Sequence, residues 1–159
     1  MKKQISICSG DVMRRWTIKR FEELSAYELY GLLKLRQDVF IVEQECIYPD
    51  LDDIDYHSVH IFTCDADKRV SAYARIFENA DGKLQVGRVC TKERGIGLGG
   101  ELLEEVMRFI KQELKRDDIV LEAQTYAVGF YEREGFAVVS DEFLEDGIPH
   151  VRMEYGGHL

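Results

Sequence analysis

Apolar residues recur along the 159-residue chain with two different periods, and the alternation between them sketches the fold. "RRWTIKRF", Arg14 to Phe21, alternates as a strand does. "EELSAYELYGLLKLRQDVF" then takes up helical spacing. Ser25 and Glu28 fit a capping box, so a helix is expected from Ala26 to about Phe40, with Leu29, Leu32, Leu33 and Val39 as its apolar stripe. Pro49 and an acidic cluster make the next stretch a loop. Three strand-like runs follow: Ser58–Cys64, Arg69–Phe77 and Lys83–Thr91. The short polar links between them, Asp65–Lys68 and Asn79–Gly82, imply antiparallel neighbours. A helix from about Gly99 to Lys115 would bury Leu102, Leu103, Val106, Phe109 and Ile110, with Glu104, Arg108, Lys111 and Lys115 facing water. "DDIVLEAQ" reads as a strand entering a short helix, "AVGFYEREG", which Gly135 ends as a C-cap would. Two last strands are expected around Asp146-Gly147.

An antiparallel meander that continues through a helical crossover predicts an α+β fold, a mixed and mostly antiparallel sheet flanked by helices. The length suits a single domain spanning residues 1–159, and no internal repeat interrupts it.

Composition narrows the function classes. With 45% hydrophobic and 32% charged residues, the balance is that of a globular protein. No apolar run approaches the roughly 20 residues needed to cross a bilayer, and "MKKQISICSGD" lacks a signal-peptide core, so a cytoplasmic location is expected. The net charge of -9 argues against nucleic acid and leans toward a cationic partner. Cys8, Cys46, Cys64 and Cys90 form no C-x-x-C pair, which suggests free thiols rather than a zinc site or disulfide framework. A nucleophilic Cys90 is the competing reading.

The densest chemical signal is "RGIGLGG", Arg94 to Gly100, between a strand and a helix. Gly95, Gly97 and Gly100 spell G-x-G-x-x-G, and Glu122 stands where a dinucleotide fold would place its ribose-binding acid. Lys92-Glu93-Arg94 intervene before the first glycine, however, and the chain after Glu122 is too short for the remaining parallel units. A P-loop fails for want of Lys-Ser or Lys-Thr after the glycines. Backbone amides from Gly95 to Gly100 at a helix N-terminus suit an anion such as a pyrophosphate. Arg94 would add a donor at the rim, and Glu101 would turn outward.

Taken from Arg94, the same stretch reads R-x-x-G-x-G through Gly97 and Gly99. With the strand order over residues 11–155, "FYEREGF" and "EDGIPHVRM", the chain resembles the GNAT-family N-acetyltransferases, in their ElaA-like branch. That resemblance implies an acetyltransferase that binds acetyl-coenzyme A as co-substrate, without a metal, and moves the acetyl group to a primary amine in a ternary complex. The implied donor site comprises Val89, Cys90, Thr91, Arg94, Gly95, Ile96, Gly97, Leu98, Gly99 and Gly100 with Gln124, Phe130, Tyr131 and Arg133. An amide of Val89 or Cys90 would face the oxyanion. Tyr131 is the expected proton donor to the thiolate, with Phe130 as the core residue beside it.

The acceptor side is less determined. Glu43, Glu122, His60 and His150 are all candidate bases, Glu43 and Gln44 are implied to face the acceptor, and a reaction without a base stays open. Arg75 and Arg88 lie in apolar strands, so each must pair with a carboxylate, Glu43 or Asp53, or line a cleft. Asp50, Asp52, Asp53 and Asp55 fail the calcium-loop template and read instead as a solvated loop at the acceptor entrance. A non-catalytic acyl-coenzyme A sensor and a dinucleotide-dependent oxidoreductase are the competing functions. The acceptor is a small-molecule amine, a lysine or an N-terminus, and the terminal strands offer edges for a homodimer.

Overall fold

The computed structural model describes residues 4–7 and 13–157; Cys8 and most of the opening segment read for a leader lie outside them. The described strands are β1 (Gln4–Ile7), β2 (Met13–Arg20), β3 (Val59–Cys64), β4 (Val70–Glu78), β5 (Leu84–Thr91), β6 (Ile119–Gln124), β7 (Phe136–Val138), β8 (Phe143–Glu145) and β9 (Ile148–Tyr155). They form one mixed sheet in the order β1-β2-β3-β4-β5-β6-β9-β7, with β8 also on β9. The fold is thus α+β, as the periodicity predicts. Every pairing is antiparallel except β5 with β6, the pair that the helical crossover joins.

Helix α1 (Ala26–Arg36) starts at the expected capping box: the Glu28 amide donates to Ser25 Oγ and the Ser25 amide to the Glu28 carboxylate. It continues as a widened turn over Gln37–Glu43. Leu32, Leu35 and Val39 pack with Phe62, Val70, Tyr73 and Cys90 on one face of the sheet. Here the expected stripe is corrected, because Leu35 and Arg36 are buried while Leu29 and Leu33 are only partly so. A guanidinium enters the interior because carboxylates wait there.

The opposite face belongs to α2 (Leu98–Phe109), which extends over Ile110–Leu114 until Lys115 turns left-handed. Leu102, Leu103, Val106, Phe109 and Ile110 meet Ile61, Ala74, Ile76 and Leu121 in the larger core. Full burial of each such side chain stabilises by roughly 1.5–3 kcal/mol. With a helix on both sides, β4 is buried along nearly all its length. That explains its mostly apolar sequence, broken within the buried span by Ser71 and Arg75.

Two expectations about strands need correction. Gln4–Ile7 pairs antiparallel with β2, a strand hidden by the polar residues around it. The C-terminal segment makes three strands rather than two, because β9 is long enough for Ile148–His150 to pair with β8 and Met153–Tyr155 with β7. Asp146 and Gly147 both have positive φ, 51° and 78°, the geometry a two-residue hairpin turn requires.

Candidate active site

The parallel pairing of β5 with β6 stops after Val86 and Leu121. Beyond that point β5 turns away, and its turning point is Arg88, whose φ of 51° lies at a register shift against β4. Bulges of this kind bend a strand and re-aim its side chains. The divergence opens a cavity of 740 Å³. One wall is the end of β5, Val89, Cys90 and Thr91. The other is Gln124 with the short helix α3 (Val128–Glu132), which contributes Phe130 and Tyr131.

At one end of the cavity lies the glycine turn. Gly95 and Gly97 both have φ of 79°, a conformation that disfavours residues with a Cβ. Gly97 is the N-cap of α2 and no side chain caps the helix. The first turn's amides are therefore free to meet an anion, since the first backbone bond back into the turn comes from Glu101 to the Gly97 carbonyl. A Cβ on Gly99 would stand 3.5 Å from the Phe130 ring. Glu101 does not spoil the site, because Arg14 Nε binds its carboxylate at 2.5 Å. Arg94 and Gly99 line the cavity, whereas Gly95, Ile96, Gly97, Leu98 and Gly100 form the turn behind its rim. Arg94 itself donates to the Thr91 carbonyl at 3.0 Å and pairs with Glu43 at 3.3 Å. That exposed pair is worth at most about 1 kcal/mol.

Tyr131, not Phe130, is the more buried of the two aromatics: it is 9% exposed, packs edge-on against Phe130 and Phe136, and still lines the cavity. Burial raises its phenol well above the ordinary value, so the hydroxyl stands on the cavity wall with its proton in place at neutral pH. Burial likewise pushes the Cys90 thiol up to about 12. Cys90 is then a poor nucleophile.

The remaining wall is an ionic network that replaces the expected solvated loop. Asp50 and Asp55 are 5% and 7% exposed. Arg36, fully buried, donates from Nε to Asp50 at 3.0 Å and from Nη1 to Asp55 at 2.7 Å. Arg75 forks onto Asp52 and also reaches Asp55, and Arg88 binds Asp50 at 2.8 Å. Arg75 and Arg88 therefore pair with Asp50, Asp52 and Asp55 rather than with Glu43 or Asp53. Burial favours the neutral acids, but the guanidiniums outweigh it and hold Asp52 and Asp55 below the usual carboxylate range. The network clamps the loop after α1 onto β4 and β5. Two thinner links bridge the cavity: Gln124 donates to Gln44 at 3.2 Å, and the Cys46 thiol to the Asp146 carbonyl at 3.5 Å.

The sequence-derived acceptor candidates separate cleanly. His60 is completely buried and lies off the cavity: its Nε2 donates to the Asp55 carbonyl at 2.9 Å and its Nδ1 accepts from Tyr73 at 2.6 Å. Burial lowers its affinity for protons, which makes it a structural histidine. Glu43 also lies off the cavity, held by Arg94. Gln44, Arg75, Arg88, Glu122, Gln124, Arg133 and His150 all line it. Burial and the Glu145 carboxylate raise Glu122 above its ordinary value. Glu145 and Tyr126 also line the cavity without a local sequence signal, and Asp52 lines it as an ion-paired residue rather than as part of a solvated entrance. The signal available for Asp52 was charge balance, since Arg75 and Arg88 in apolar runs each require an acid.

Comparison with known proteins agrees with this geometry. A family model described as an acetyltransferase (GNAT) domain matches residues 34–156. The Escherichia coli protein ElaA is 37% identical over 147 residues, covering 89% of this chain and 95% of its own; its crystal structure superposes with a TM-score of 0.82, over 90% and 99% of the two chains. An acyl-CoA N-acyltransferase from Pseudomonas aeruginosa is 35% identical with a TM-score of 0.82, over 89% and 99%. An acetyltransferase from Bacillus anthracis, crystallised with acetyl coenzyme A, shares the fold at 18% identity and a TM-score of 0.54, over 68% and 70%.

Proposed function

The chain belongs to the GNAT acetyltransferase family, and from that premise we propose that it transfers an acetyl group from acetyl-coenzyme A to a primary amine by direct attack in a ternary complex. The observation that carries the reading is the continuity of one cavity. It runs from the glycine turn, past Val89–Thr91 and Tyr131, to a wall bearing Glu122 and His150. An anionic carrier, a thioester carbonyl and a cationic nucleophile each find a suitable surface along it, in the order the reaction needs.

The α2 amides and Arg94 bind the pyrophosphate, and the glycines suit it because no Cβ intrudes on the turn. The bulge at Arg88 frees the β5 edge from β6, so the backbone of Val89 and Cys90 can pair with the pantetheine arm and offer an amide to the developing oxyanion. Tyr131 protonates the leaving thiolate. The Bacillus anthracis neighbour's bound acetyl coenzyme A supports the choice of donor. Among the described residues, no helix is long and apolar enough to cross a membrane.

Thermal melting tests the donor, because a ligand that binds only the folded state must raise the midpoint. Coenzyme A is expected to raise it and NAD to leave it unchanged; a shift with NAD alone overturns the reading. Free thiol accumulating from acetyl-coenzyme A in the presence of amines separates a transferase from a sensor.

A further inference from the structure

His150 lies on β9 opposite Gln124 of β6 and is 9% exposed. Its Nδ1 is 2.7 Å from the Ile148 carbonyl. A carbonyl only accepts, so Nδ1 carries the hydrogen, and in the neutral ring Nε2 keeps its lone pair. Phe143 stacks on the ring with centroids 6.1 Å apart. No hydrogen-bond partner meets Nε2 among the described residues; Glu145 Oε2 stands 3.7 Å away. A nearly buried imidazole is thus held by its back edge and one face, on a residue that lines the cavity, with its Nε2 turned toward Glu145.

The charges around it favour a cation. Glu145 reaches it from β8 and Glu122 from the neighbouring β6, with Asp146 in the adjoining turn. Arg152 on β9 is the near cation and Arg133 also lines the cavity, while Arg75 and Arg88 are neutralised within the network of Asp50, Asp52 and Asp55 that they share with Arg36, and Arg94 pairs with Glu43. The two glutamates interact directly, and burial together with Glu145 raises the Glu122 carboxyl. An arriving ammonium relieves that repulsion.

We propose that this wall is the acceptor subsite for a primary alkylammonium, held between Glu122 and Glu145, with His150 Nε2 as the base that deprotonates it. The proposal rests on the acetyl-transfer reading above. One ammonium proton moves to Nε2 and from there to solvent. The freed nitrogen lone pair forms the N–C bond at the thioester carbonyl, and the C–S bond breaks with its electron pair on sulfur. The thiolate takes the Tyr131 proton, and the second proton lost from nitrogen restores the phenol. One proton is released in all, as amide and thiol form. His150 is catalytic in this scheme, and Glu145 is a positioning residue that also stabilises the imidazolium.

The test measures thiol release from acetyl-coenzyme A with n-butylamine, 1,4-diaminobutane and Nα-acetyl-lysine amide across pH, in the wild type, His150→Gln and Glu145→Gln. The coenzyme A melting shift is the control in every protein. Wild-type turnover of at least one amine is expected, with an acidic limb in kcat. His150→Gln should retain the melting shift, lose about 10²–10⁴-fold in kcat and lose that limb. Glu145→Gln, in an exposed hairpin, should keep the limb, displace it and raise KM. A His150→Gln variant with wild-type kcat and an intact limb overturns the proposal. So does a wild type that binds coenzyme A yet turns over none of the amines, an outcome that leaves the donor site standing. Absence of any coenzyme A shift in the wild type would overturn the transferase reading and this one together.

Discussion

Arg36→Met is the substitution that most directly tests whether the ionic network holds the cavity wall. Arg36 makes four hydrogen bonds, to both Asp55 oxygens, to Asp50 Oδ2 and to the Asp50 carbonyl, between 2.7 and 3.2 Å. Methionine fills much of the same volume but leaves two nearly buried carboxylates short of a partner. Breaking a buried pair from one side costs about 3–5 kcal/mol. At about 2–4 °C per kcal/mol for a chain of this size, the melting temperature should fall by about 6–20 °C. Arg116→Met provides the contrast. Arg116 binds Asp118 and Glu78 at the surface, where such pairs contribute at most about 1 kcal/mol. Calorimetry or urea unfolding of both variants reads the difference, and an Arg36→Met loss no larger than that of Arg116→Met refutes the reasoning.

The same network carries a pH signature. Asp52 and Asp55 bind protons less readily folded than unfolded. Their stabilisation is therefore complete above the unfolded carboxylate range of about 3.9, and is lost as pH falls below it through the folded values. Below about pH 4, wild-type stability should drop more steeply than that of Arg36→Met, where part of the depression is already gone.

Tyr131→Phe should keep the coenzyme A melting shift while thiol release falls about 10²-fold or more; undiminished release removes Tyr131 from the chemistry. Cys90→Ala should retain thiol release, and in the native protein at pH 8 iodoacetamide should modify exposed Cys64 long before Cys90, whose burial holds it as a thiol; early modification of Cys90 contradicts this. Gly97→Ala, at a φ of 79°, should cost about 1 kcal/mol of stability, whereas Gly99→Val, facing Phe130, should chiefly weaken coenzyme A binding in calorimetric titration. His60 is buried neutral with a lowered proton affinity, so stability should be full above the unfolded histidine range of about 6.5 and decline as pH falls below it; His60→Gln should flatten that decline.

What the sequence made legible followed from how local each signal is. Helix α2 was readable because Leu102, Leu103, Val106 and Phe109 repeat at helical spacing on its buried face, and α1 because its cap is written within four residues. The three central strands were bounded by turns with Asp, Asn and Gly. Strand β1 was not readable, since an edge strand of four residues carries too little alternation to stand out from polar neighbours. The division of β7 and β8 along one edge of β9 depends on pairing registers, which no short-range pattern records.

The site divides along the same line. The glycine turn, the β5 end and Tyr131 stand out in the sequence because they lie in two contiguous stretches. The opposite wall is assembled from the loop after α1, β4, β6 and the β8–β9 hairpin, and the Cys46–Asp146 link joins residues 100 positions apart. Glu43 and His60 sit in suggestive stretches of sequence, yet tertiary partners occupy both. Glu145 opens the "EDGIPHVRM" stretch without a role of its own in the sequence, and it lines the cavity once β9 brings its hairpin beside β6. Arg88 joins the two halves of the cavity: its left-handed backbone turns the end of β5 away from β6, while its side chain closes on Asp50 at 2.8 Å. A neutral residue at 88 that removes that pairing while keeping the bulge should loosen the acceptor wall and spare the donor site. Arg88→Asn is the apt choice, because Asn tolerates a positive φ. Its coenzyme A melting shift should be preserved while KM for the amine rises, and equal losses at both sites would show that strand geometry and wall are not separable there.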